Sequence, residues 1–282
     1  MKKRWRGIIS EGVNIVLVLA VLAIFLLPLV WLFTMSLKSM GDALAIPPVW
    51  VFKPDFSHYY RLLFGQTQPV ALPIRPAILN SLIVSLGSTG LAILMSLPCA
   101  YSISRYRTGG NGFAFWILSI RMAPPILFMI PLFVLYQKVH LLDTQLGLTL
   151  LYLLSALPLC VWVLRSFIDD LPRDFEEAAM IDGCSPLTAM FRVVFPLIMP
   201  GITSVAIICF FFSFSEFLMA NVFTTWTGAT ITAVGATFIT QYTFLYPDIA
   251  SVIMVMMAIV YAFVLLIQGR LVRGLTMGAV KG

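Results

Sequence analysis

Charge is scarce in this sequence: charged residues make up 11% of the 282 residues, whereas apolar residues make up 60%. A soluble domain normally carries about a quarter charged residues. A soluble fold of this length also has too little interior to hide so much apolar surface, so lipid must be the solvent for most of it. The net charge of +6 does not indicate nucleic-acid binding, because the cations are scattered singly between apolar stretches. The composition therefore predicts an integral membrane protein with no nucleic-acid partner.

Cysteine and histidine are also few, with four cysteines and two histidines in the chain. Neither set has the spacing of a metal site or of a disulfide framework. We interpret the cysteines as small, mostly buried thiols and predict no metal site. The residues concerned are Cys99, Cys160, Cys184, Cys209, His58 and His140.

The sequence lacks a Gly-x-x-x-x-Gly-Lys-Ser/Thr phosphate loop, since no lysine stands in that context. It also lacks the clustered His, Asp or Cys side chains that a membrane-embedded enzyme would need at one membrane face. We therefore predict that the chain is not an enzyme, has no catalytic residue and carries no cofactor of its own. Any ATP hydrolysis must take place on another protein.

Six long apolar runs are present, and each is close to the ~20 residues that a bilayer-spanning helix needs. They predict an all-α membrane protein of six transmembrane helices, with residues 1–282 forming a single domain. Prolines inside the runs predict kinks or broken helices. The predicted spans are 13–33, 77–103, 113–136, 144–167, 197–220 and 249–268, and the prolines are Pro28, Pro98, Pro124, Pro125, Pro131 and Pro158.

The first apolar run follows a basic segment, an arrangement that signal peptides share. The run from Val13 to Phe33 is, however, longer than a signal-peptide core and can span a bilayer at ~1.5 Å per residue. We expect it to be a retained first span.

Lysine and arginine are distributed unequally between the two sides that six spans define. Most of them flank the two ends of the chain or lie in the second and fourth connections, and positive charge marks the cytoplasmic side. Both termini are therefore predicted to be cytoplasmic. The external side then has two substantial segments, 38–76 and 221–248, for which aromatic interfacial anchoring and a docking role both remain open.

The most informative segment is the predicted cytoplasmic loop 168–196, which contains the run DDLPRDFEEAAMIDGCSP. Its pattern predicts a short helix capped by Asp174, a reversal with positive φ at Gly183, and a second helix capped by Ser185 with Pro186 at its first position. An amphipathic interfacial helix and a docking surface for another protein explain the pattern equally well. Its acidic residues mark it as water-facing: Asp169, Asp170, Asp174, Glu176, Glu177 and Asp182.

The run EEAAMIDG, followed after nine residues by Val193, Phe195 and Pro196, resembles the signature loop of binding-protein-dependent ABC importer permeases. The family pattern is E-A-A, three residues, G, nine residues, I, one residue, L-P; here Val and Phe stand for Ile and Leu. The resemblance implies a coupling helix that enters a cleft of the ATP-binding subunit. The implied coupling residues are Glu176, Glu177, Ala178, Ala179, Asp182, Gly183 and Pro196.

Four further segments resemble the carbohydrate-uptake branch, in the subunit similar to the smaller maltose-type permease: RMAPPILFMIPLF, LLDTQLGL, SFSEF and LVRGLTMGAVKG. The resemblance implies type I importer architecture in a bacterial inner membrane. It also implies a second permease subunit in a heterodimer, two copies of an ATP-binding subunit that hold ATP and Mg, and an extracytoplasmic solute-binding protein. SFSEF departs from the Trp-Asn-Glu-Phe of the family, because Phe214 and Ser215 replace Trp and Asn.

Two charges lie within predicted spans. Arg121 is about eight residues into the third span, hence ~12 Å deep by helical rise. A cation there should face the bundle interior or a water-filled path, so bundle packing and ligand contact both remain open. Glu216 lies near the outer end of the fifth span, too different in depth for an easy ion pair with Arg121. The residues predicted for a translocation path are Arg121, Glu216, Ser215 and Asn221.

The solute is left open between a sugar, an oligosaccharide, a polyol, a glycerol derivative and a sulfosugar. The alternative function is an ion-coupled transporter or a channel that works without an ATPase. Such a protein usually carries more polar or acidic residues within its spans, and the docking-type loop argues against it.

Overall fold

The computed structural model describes residues 2–64, 74–110, 112–239 and 244–278, with side chains from 13 to 268 within those ranges. The regular secondary structure of these residues is helical, and the described part contains no strand beyond one isolated bridge between Ile239 and Phe244. The helices are α1 Lys2–Ser36, α2 Met40–Leu44, α3 Ser57–Phe64, α4 Ile74–Tyr106, α5 Phe113–Ile120, α6 Ile126–Lys138, α7 Gln145–Asp169, α8 Asp174–Ile181, α9 Pro186–Ala189, α10 Phe195–Leu197, α11 Met199–Phe214, α12 Leu218–Phe223, α13 Ile231–Ala236 and α14 Tyr246–Gly278, with a π-helical turn at Met190–Val194. The all-α prediction is confirmed.

Within the described residues, four helical stretches are long and apolar enough to cross a membrane: 13–36, 74–106, 145–169 and 246–268. A fifth is present if Pro186–Leu197 and Met199–Phe214, bent by 75°, count as one span. This differs from the six predicted spans. One difference lies in the fifth, which reaches the length of a span only if the bent pair counts. The other lies in the third, because the predicted run 113–136 divides into α5 and α6. Neither piece alone has the length of a spanning helix.

The interruption between α5 and α6 follows from proline chemistry. Pro124 and Pro125 lack the N–H groups that would continue the helix of α5, and the ring of each clashes with the preceding turn. Prolines elsewhere are tolerated inside continuous helices: Pro28 in α1, Pro98 in α4, Pro131 in α6 and Pro158 in α7. The predicted helix break is therefore confirmed only at the proline pair.

The chain forms two compact units, Met1–Ala71 with Gly235–Met257 and Leu72–Val234 with Ala258–Gly282. In the first unit, the apolar residues 13–30 of α1 are exposed, as expected for a helix that lipid or another subunit solvates. The buried ring of His58 on α3 connects two other segments of this unit. Its Nε2 lies 3.1 Å from the carbonyl oxygen of Lys38, and its Nδ1 lies 3.1 Å from Asp248 Oδ1. This polar cluster fixes α3 against the residues that precede α2 and that begin α14.

The core of the second unit lies between α4, α7 and α11. Small residues allow these helices to approach closely, as is usual inside membranes. A Cβ at Gly87 would lie 3.3 Å from Thr149 Cγ2, and Ser88 Oγ donates to Ser213 Oγ at 3.2 Å. The thiols of Cys160 and Cys209 meet in this core, 3.0 Å apart at their sulfur atoms. Both are buried, while Cys99 and Cys184 are half-buried.

Candidate coupling site

The loop 168–196 forms the predicted helix, reversal and second helix. Gly183 has a φ of +88°, and the N–H of Cys184 donates to the Ala179 carbonyl at 3.0 Å, which closes the end of α8. Ser185 caps α9, since its Oγ accepts the N–H of Thr188 at 3.2 Å, and Pro186 takes the first helical position. The predictions for Gly183, Ser185 and Pro186 are confirmed.

The predicted cap at Asp174 is wrong. Asp174 is the first residue inside α8, and Arg173 occupies the cap position without a side-chain cap hydrogen bond. The backbone of Arg173 is helical, with φ −68° and ψ −23°, whereas a capping side chain needs extended backbone at the cap. Asp174, Glu176 and Glu177 instead fill the first turn, where the helix dipole favours negative charge.

Glu176 does not face outward with the rest of the acidic loop. It is 4% exposed, and its Oε1 accepts a hydrogen bond from Arg105 Nε at 2.6 Å. Its Oε2 accepts from the hydroxyl of Tyr101 at 2.7 Å, and Arg105 Nη2 also donates to the Leu171 carbonyl at 3.0 Å. We name Tyr101, Arg105 and Glu176 the anchor triad. It fastens α8 to the end of α4, so Glu176 positions the helix rather than forming part of its outer surface.

The outer surface of α8 carries the remaining predicted coupling residues. Glu177, Ala178 and Asp182 are exposed and Ala179 is half-buried. Beside them lie two large apolar side chains that sequence reasoning missed, Ile181 at 86% exposure and Leu187 at 65%. An exposed apolar patch rimmed by carboxylates is typical of a protein interaction surface. We name the exposed residues Glu177, Ala178, Ile181, Asp182 and Leu187 the outer face of the loop.

The end of the loop is packed into the core of the second unit. Met190 and Val194 of the π-helical turn are buried together with Leu164 and Ile168 of α7. Pro196, in α10, is exposed beyond this turn. The outer face therefore sits on a support that is held at the anchor triad and again at the π-helical turn.

The sequence predicts Arg121 inside a transmembrane helix, and the structure places it elsewhere. It lies at the end of α5, where the third predicted span is interrupted, and it is exposed. Its Nη1 donates to the Ser155 carbonyl at 3.4 Å, and its guanidinium carbon lies 5.1 Å from the ring centroid of Phe212. The contact with Phe212 is a cation–π arrangement that joins α5 to α11. This geometry provides the packing contact that the sequence left open.

Glu216 lies at the corner between α11 and α12. Its carboxylate accepts the N–H groups of Met219, at 3.0 and 3.1 Å, and of Ala220, at 3.2 Å, and so closes the start of α12. In the part of the chain that the structure describes, no ion pair joins Arg121 and Glu216. Ser215 and Asn221 are exposed at this same corner, which brings three of the predicted path residues to α11 and α12.

A second anchor, which sequence reasoning missed, is built on Asp143 of the LLDTQLGL segment. Its carboxylate accepts the backbone N–H groups of Thr225, Trp226, Thr227 and Gly228 at 2.8 to 3.2 Å. Partial burial raises the pKa of Asp143, but hydrogen bonds from Thr225, Thr227 and Gly228 outweigh it and lower the pKa to about 2. The segment Thr225–Gly228 is thereby wrapped around one side chain. The sequence signals for this contact were an aspartate, Asp143, just before a helix and a loop rich in threonine and glycine more than 80 residues further along the chain.

Replacing Asp143 with asparagine is expected to loosen residues 225–228 and to lower the free energy of unfolding by about 1–3 kcal/mol, because an amide group accepts fewer of these bonds. The folded pKa of Asp143 lies below the ordinary value. The contribution of the Asp143 carboxylate to the free energy of unfolding is thus present above about pH 4 and is lost as the pH falls from there toward 2. Thermal unfolding in detergent at several pH values measures this.

The control for Asp143→Asn is Asp182→Asn, which changes an exposed carboxylate that lies outside this cluster of hydrogen bonds. It should leave the unfolding temperature unchanged. Equal unfolding temperatures for the Asp143 variant and the unsubstituted protein near pH 7 would contradict the anchor.

Comparison with known proteins yields matches along most of the chain. The family model described as binding-protein-dependent transport system inner membrane component matches residues 88–276. The chain is 32% identical over 260 residues to the sulfoquinovosyl glycerol transport system permease protein SmoH of Agrobacterium fabrum, covering 91% of this chain and 89% of that one. It is 35% identical over 265 residues to the trehalose transport system permease protein SugB of Mycobacterium tuberculosis, covering 91% and 93%. It is 31% identical to the trehalose/maltose transport system permease protein MalG of Thermococcus litoralis, covering 94% of each.

Solved structures share the fold. A chain of a bacterial ABC transporter involved in the import of the acidic polysaccharide alginate superposes with a TM-score of 0.71 at 21% identity, covering 93% of this chain and 96% of that one. A chain of the MetNI methionine ABC transporter gives a TM-score of 0.57 at 16% identity, covering 71% and 93%. At these identities the likeness shows the fold alone.

Proposed function

We propose, since the chain belongs to the family of binding-protein-dependent transport system inner membrane components, that it carries a carbohydrate or carbohydrate derivative into a bacterial cell. Its role as a multi-pass permease subunit of an ABC importer follows from the family, and that prediction is confirmed. The alternative of an ion-coupled transporter or a channel has no support in the comparisons. What we propose beyond this role is the class of cargo and the kinds of partner subunit.

The cargo class rests on relatives that match nearly the full length of the chain. Their names refer to sulfoquinovosyl glycerol, trehalose and maltose, which are all sugars or sugar derivatives. The four segments that resemble the carbohydrate branch agree with this class. Glu216, Ser215 and Asn221 at the corner of α11 and α12 are the candidates for the translocation path, with Arg121 as a packing residue.

The partners are a second permease subunit, two copies of an ATP-binding subunit that hold ATP and Mg, and an extracytoplasmic solute-binding protein. The assembly lies in the inner membrane with both termini of this chain in the cytoplasm. The coupling role rests on the outer face of the loop, which exposes apolar and acidic side chains to solvent. The buried side chains of the anchor triad before it, and of Met190 and Val194 in the π-helical turn after it, hold it in place. Ala178 lets a partner approach the helix closely, and Ile181 supplies an apolar contact.

The anchor triad gives this surface a mechanical function. An ATP-binding subunit that pulls on the outer face would move α8, and the ion pair between Arg105 and Glu176 would pass that movement to α4. Since α4 packs along α7 and α11, the bundle would respond as a unit. Alternation between outward and inward openings then needs two states that differ in affinity for the solute.

Uptake into proteoliposomes tests the cargo class. The full-length chain, its native neighbours and the solute-binding protein are reconstituted with ATP inside, and labelled trehalose, maltose, a glycosyl glycerol and methionine are offered outside. We expect ATP-dependent accumulation of one carbohydrate and none of methionine. Accumulation of methionine alone would overturn the cargo class, and accumulation without ATP would overturn the mechanism.

A further inference from the structure

A second polar site lies at the start of the coupling loop and shares Arg105 with the anchor triad. It is a cavity of about 570 Å³ between the end of α4 and the end of α7. The residues that line it include four arginines and one aspartate: Arg105, Arg107, Arg165, Arg173 and Asp169. We name it the arginine pocket. Its volume falls within the ~300–1,000 Å³ that is usual for small-ligand sites.

The positive charge of the arginine pocket is only partly neutralised within the protein. Arg105 pairs with Glu176, and Arg165 Nε lies 3.1 Å from Asp169 Oδ2. No carboxylate among the described residues forms an ion pair with Arg107 or Arg173. Arg173 Nη2 donates to the carbonyl of Arg105 at 3.3 Å. Two of the arginines that line the cavity therefore have no ion-pair partner in the described part of the chain.

The backbone holds one of these arginines at the rim. Arg107 has a φ of +53°, and Gly109 and Gly110 follow with φ of +78° and +79°, so the chain turns sharply at the end of α4. Gly110 itself lines the pocket, and a Cβ there would meet nothing within 4 Å. The turn thus brings both Arg107 and Gly110 into the lining of the pocket.

The chemistry that fits this pocket is a phosphate group. Guanidinium groups bind phosphate through paired N–H donors, and several arginines around one cavity match its charge and its multiple acceptor oxygens. Asp169 also lines the pocket, but its carboxylate is engaged within the protein: Oδ1 accepts from the Ser104 hydroxyl, and Oδ2 lies 3.1 Å from Arg165 Nε. The remaining volume accommodates the glycerol or sugar that a phosphate ester carries.

The position of the pocket favours a lipid as the source of the phosphate. The apolar helix α5 begins at Phe113, shortly after Gly110, and its Phe115 and Trp116 are exposed as in a lipid-facing helix. Tryptophan is enriched where membranes meet water, and basic pockets between helices at that level bind lipid headgroups. The orientation proposed above makes this the inner leaflet.

We propose that the arginine pocket binds a phosphate group, from an anionic phospholipid of the inner leaflet or from a soluble phosphate ester, and that its occupant braces the coupling loop. An occupant held by Arg173 would lie directly before the first residue of α8. Its contact with Arg105 would reach the anchor triad. The inference concerns a site separate from the translocation path and does not depend on the identity of the cargo.

Native mass spectrometry of the full-length chain, purified with its native neighbours from phosphatidylglycerol nanodiscs, counts the retained lipid. The variant is Arg107→Gln with Arg173→Gln. The matched control is Arg192→Gln, an exposed arginine of the π-helical turn that does not line the pocket. We expect the double variant to lower the affinity for phosphatidylglycerol about tenfold, and the control to leave it unchanged. Arg107→Lys should retain an intermediate affinity, because it keeps the charge and loses the paired donors.

Competition identifies the source of the phosphate. If glycerol 3-phosphate or inorganic phosphate at millimolar concentration displaces the lipid, the pocket accepts a soluble ester; if neither does, it is a lipid site. Equal lipid retention in the double variant and the control overturns the proposal. Loss of the ATP-binding subunit from the double variant, with lipid retention unchanged, also overturns it, because the two arginines would then contact that protein. Co-elution of the second permease checks that the variants are folded.

Discussion

Replacing Glu176 with leucine is expected to have the largest effect of any single change in the coupling loop. Arg105 is 7% exposed at its side chain and Glu176 is 5% exposed at its own. Removing one partner of a buried ion pair leaves an uncompensated charge and typically costs about 3–5 kcal/mol. The free energy of unfolding should fall by that order, and ATP-driven uptake should be lost because α8 is no longer fastened to α4.

The neighbouring residue provides a matched control. Glu177→Leu changes an exposed carboxylate one position along the same helix, and its effect on unfolding should stay within about 0.5 kcal/mol. Glu176→Leu combined with Arg105→Leu should recover part of the lost stability, since no buried charge then remains. Thermal unfolding of the four proteins measures this. Equal stability of the two single variants would contradict the anchor triad.

Replacing Gly183 with proline is expected to abolish transport. Proline fixes φ near −65°, whereas Gly183 has a φ of +88°. Proline also removes the N–H that Gly183 donates to the Met180 carbonyl at 3.1 Å. The reversal between α8 and α9 cannot form in its present geometry, so Ile181 of α8 and Leu187 of α9 lose their present relative position.

Other substitutions at Gly183 are expected to slow transport by different amounts. A Cβ at this position would meet nothing within 4 Å, so Gly183→Ala costs about 1–2 kcal/mol from its left-handed backbone alone. Gly183→Asn should be milder, because asparagine enters this backbone region more readily. Initial rates of ATP-driven uptake should fall in the order glycine, asparagine, alanine, proline. A proline variant that transports at the rate of the unsubstituted protein would refute the role of the reversal.

The coupling loop shows what the sequence can predict. Gly183, Ser185 and Pro186 obey local rules, in which a helix end needs positive φ and a helix start needs a capping oxygen, so their roles follow from a few neighbouring letters. The family resemblance predicted the importer function for the same reason, because its signature is continuous. Asp174 is the local exception, since the helix began one residue earlier than its capping chemistry suggested.

Contacts distant in sequence were not predictable. Arg105 and Glu176 meet only because α4 and α8 pack together, and nothing in the acidic run distinguishes Glu176 from Glu177. Asp143 and the segment 225–228 are likewise far apart in the sequence, by 82 residues for Thr225. The tertiary packing supplies this information. The break in the third predicted span is different, because the local chemistry of Pro124 and Pro125 decides it and hydropathy alone does not measure it.

The docking of the outer face on an ATP-binding subunit is the central claim. The tagged, full-length chain is solubilised in detergent together with its native neighbours, purified, and compared with Glu177→Lys. The account predicts that the unsubstituted chain brings down an ATP-binding protein and a second permease, and that the variant loses the first and retains the second. If the chain purifies without an ATP-binding protein in either form, the coupling role of the loop is refuted.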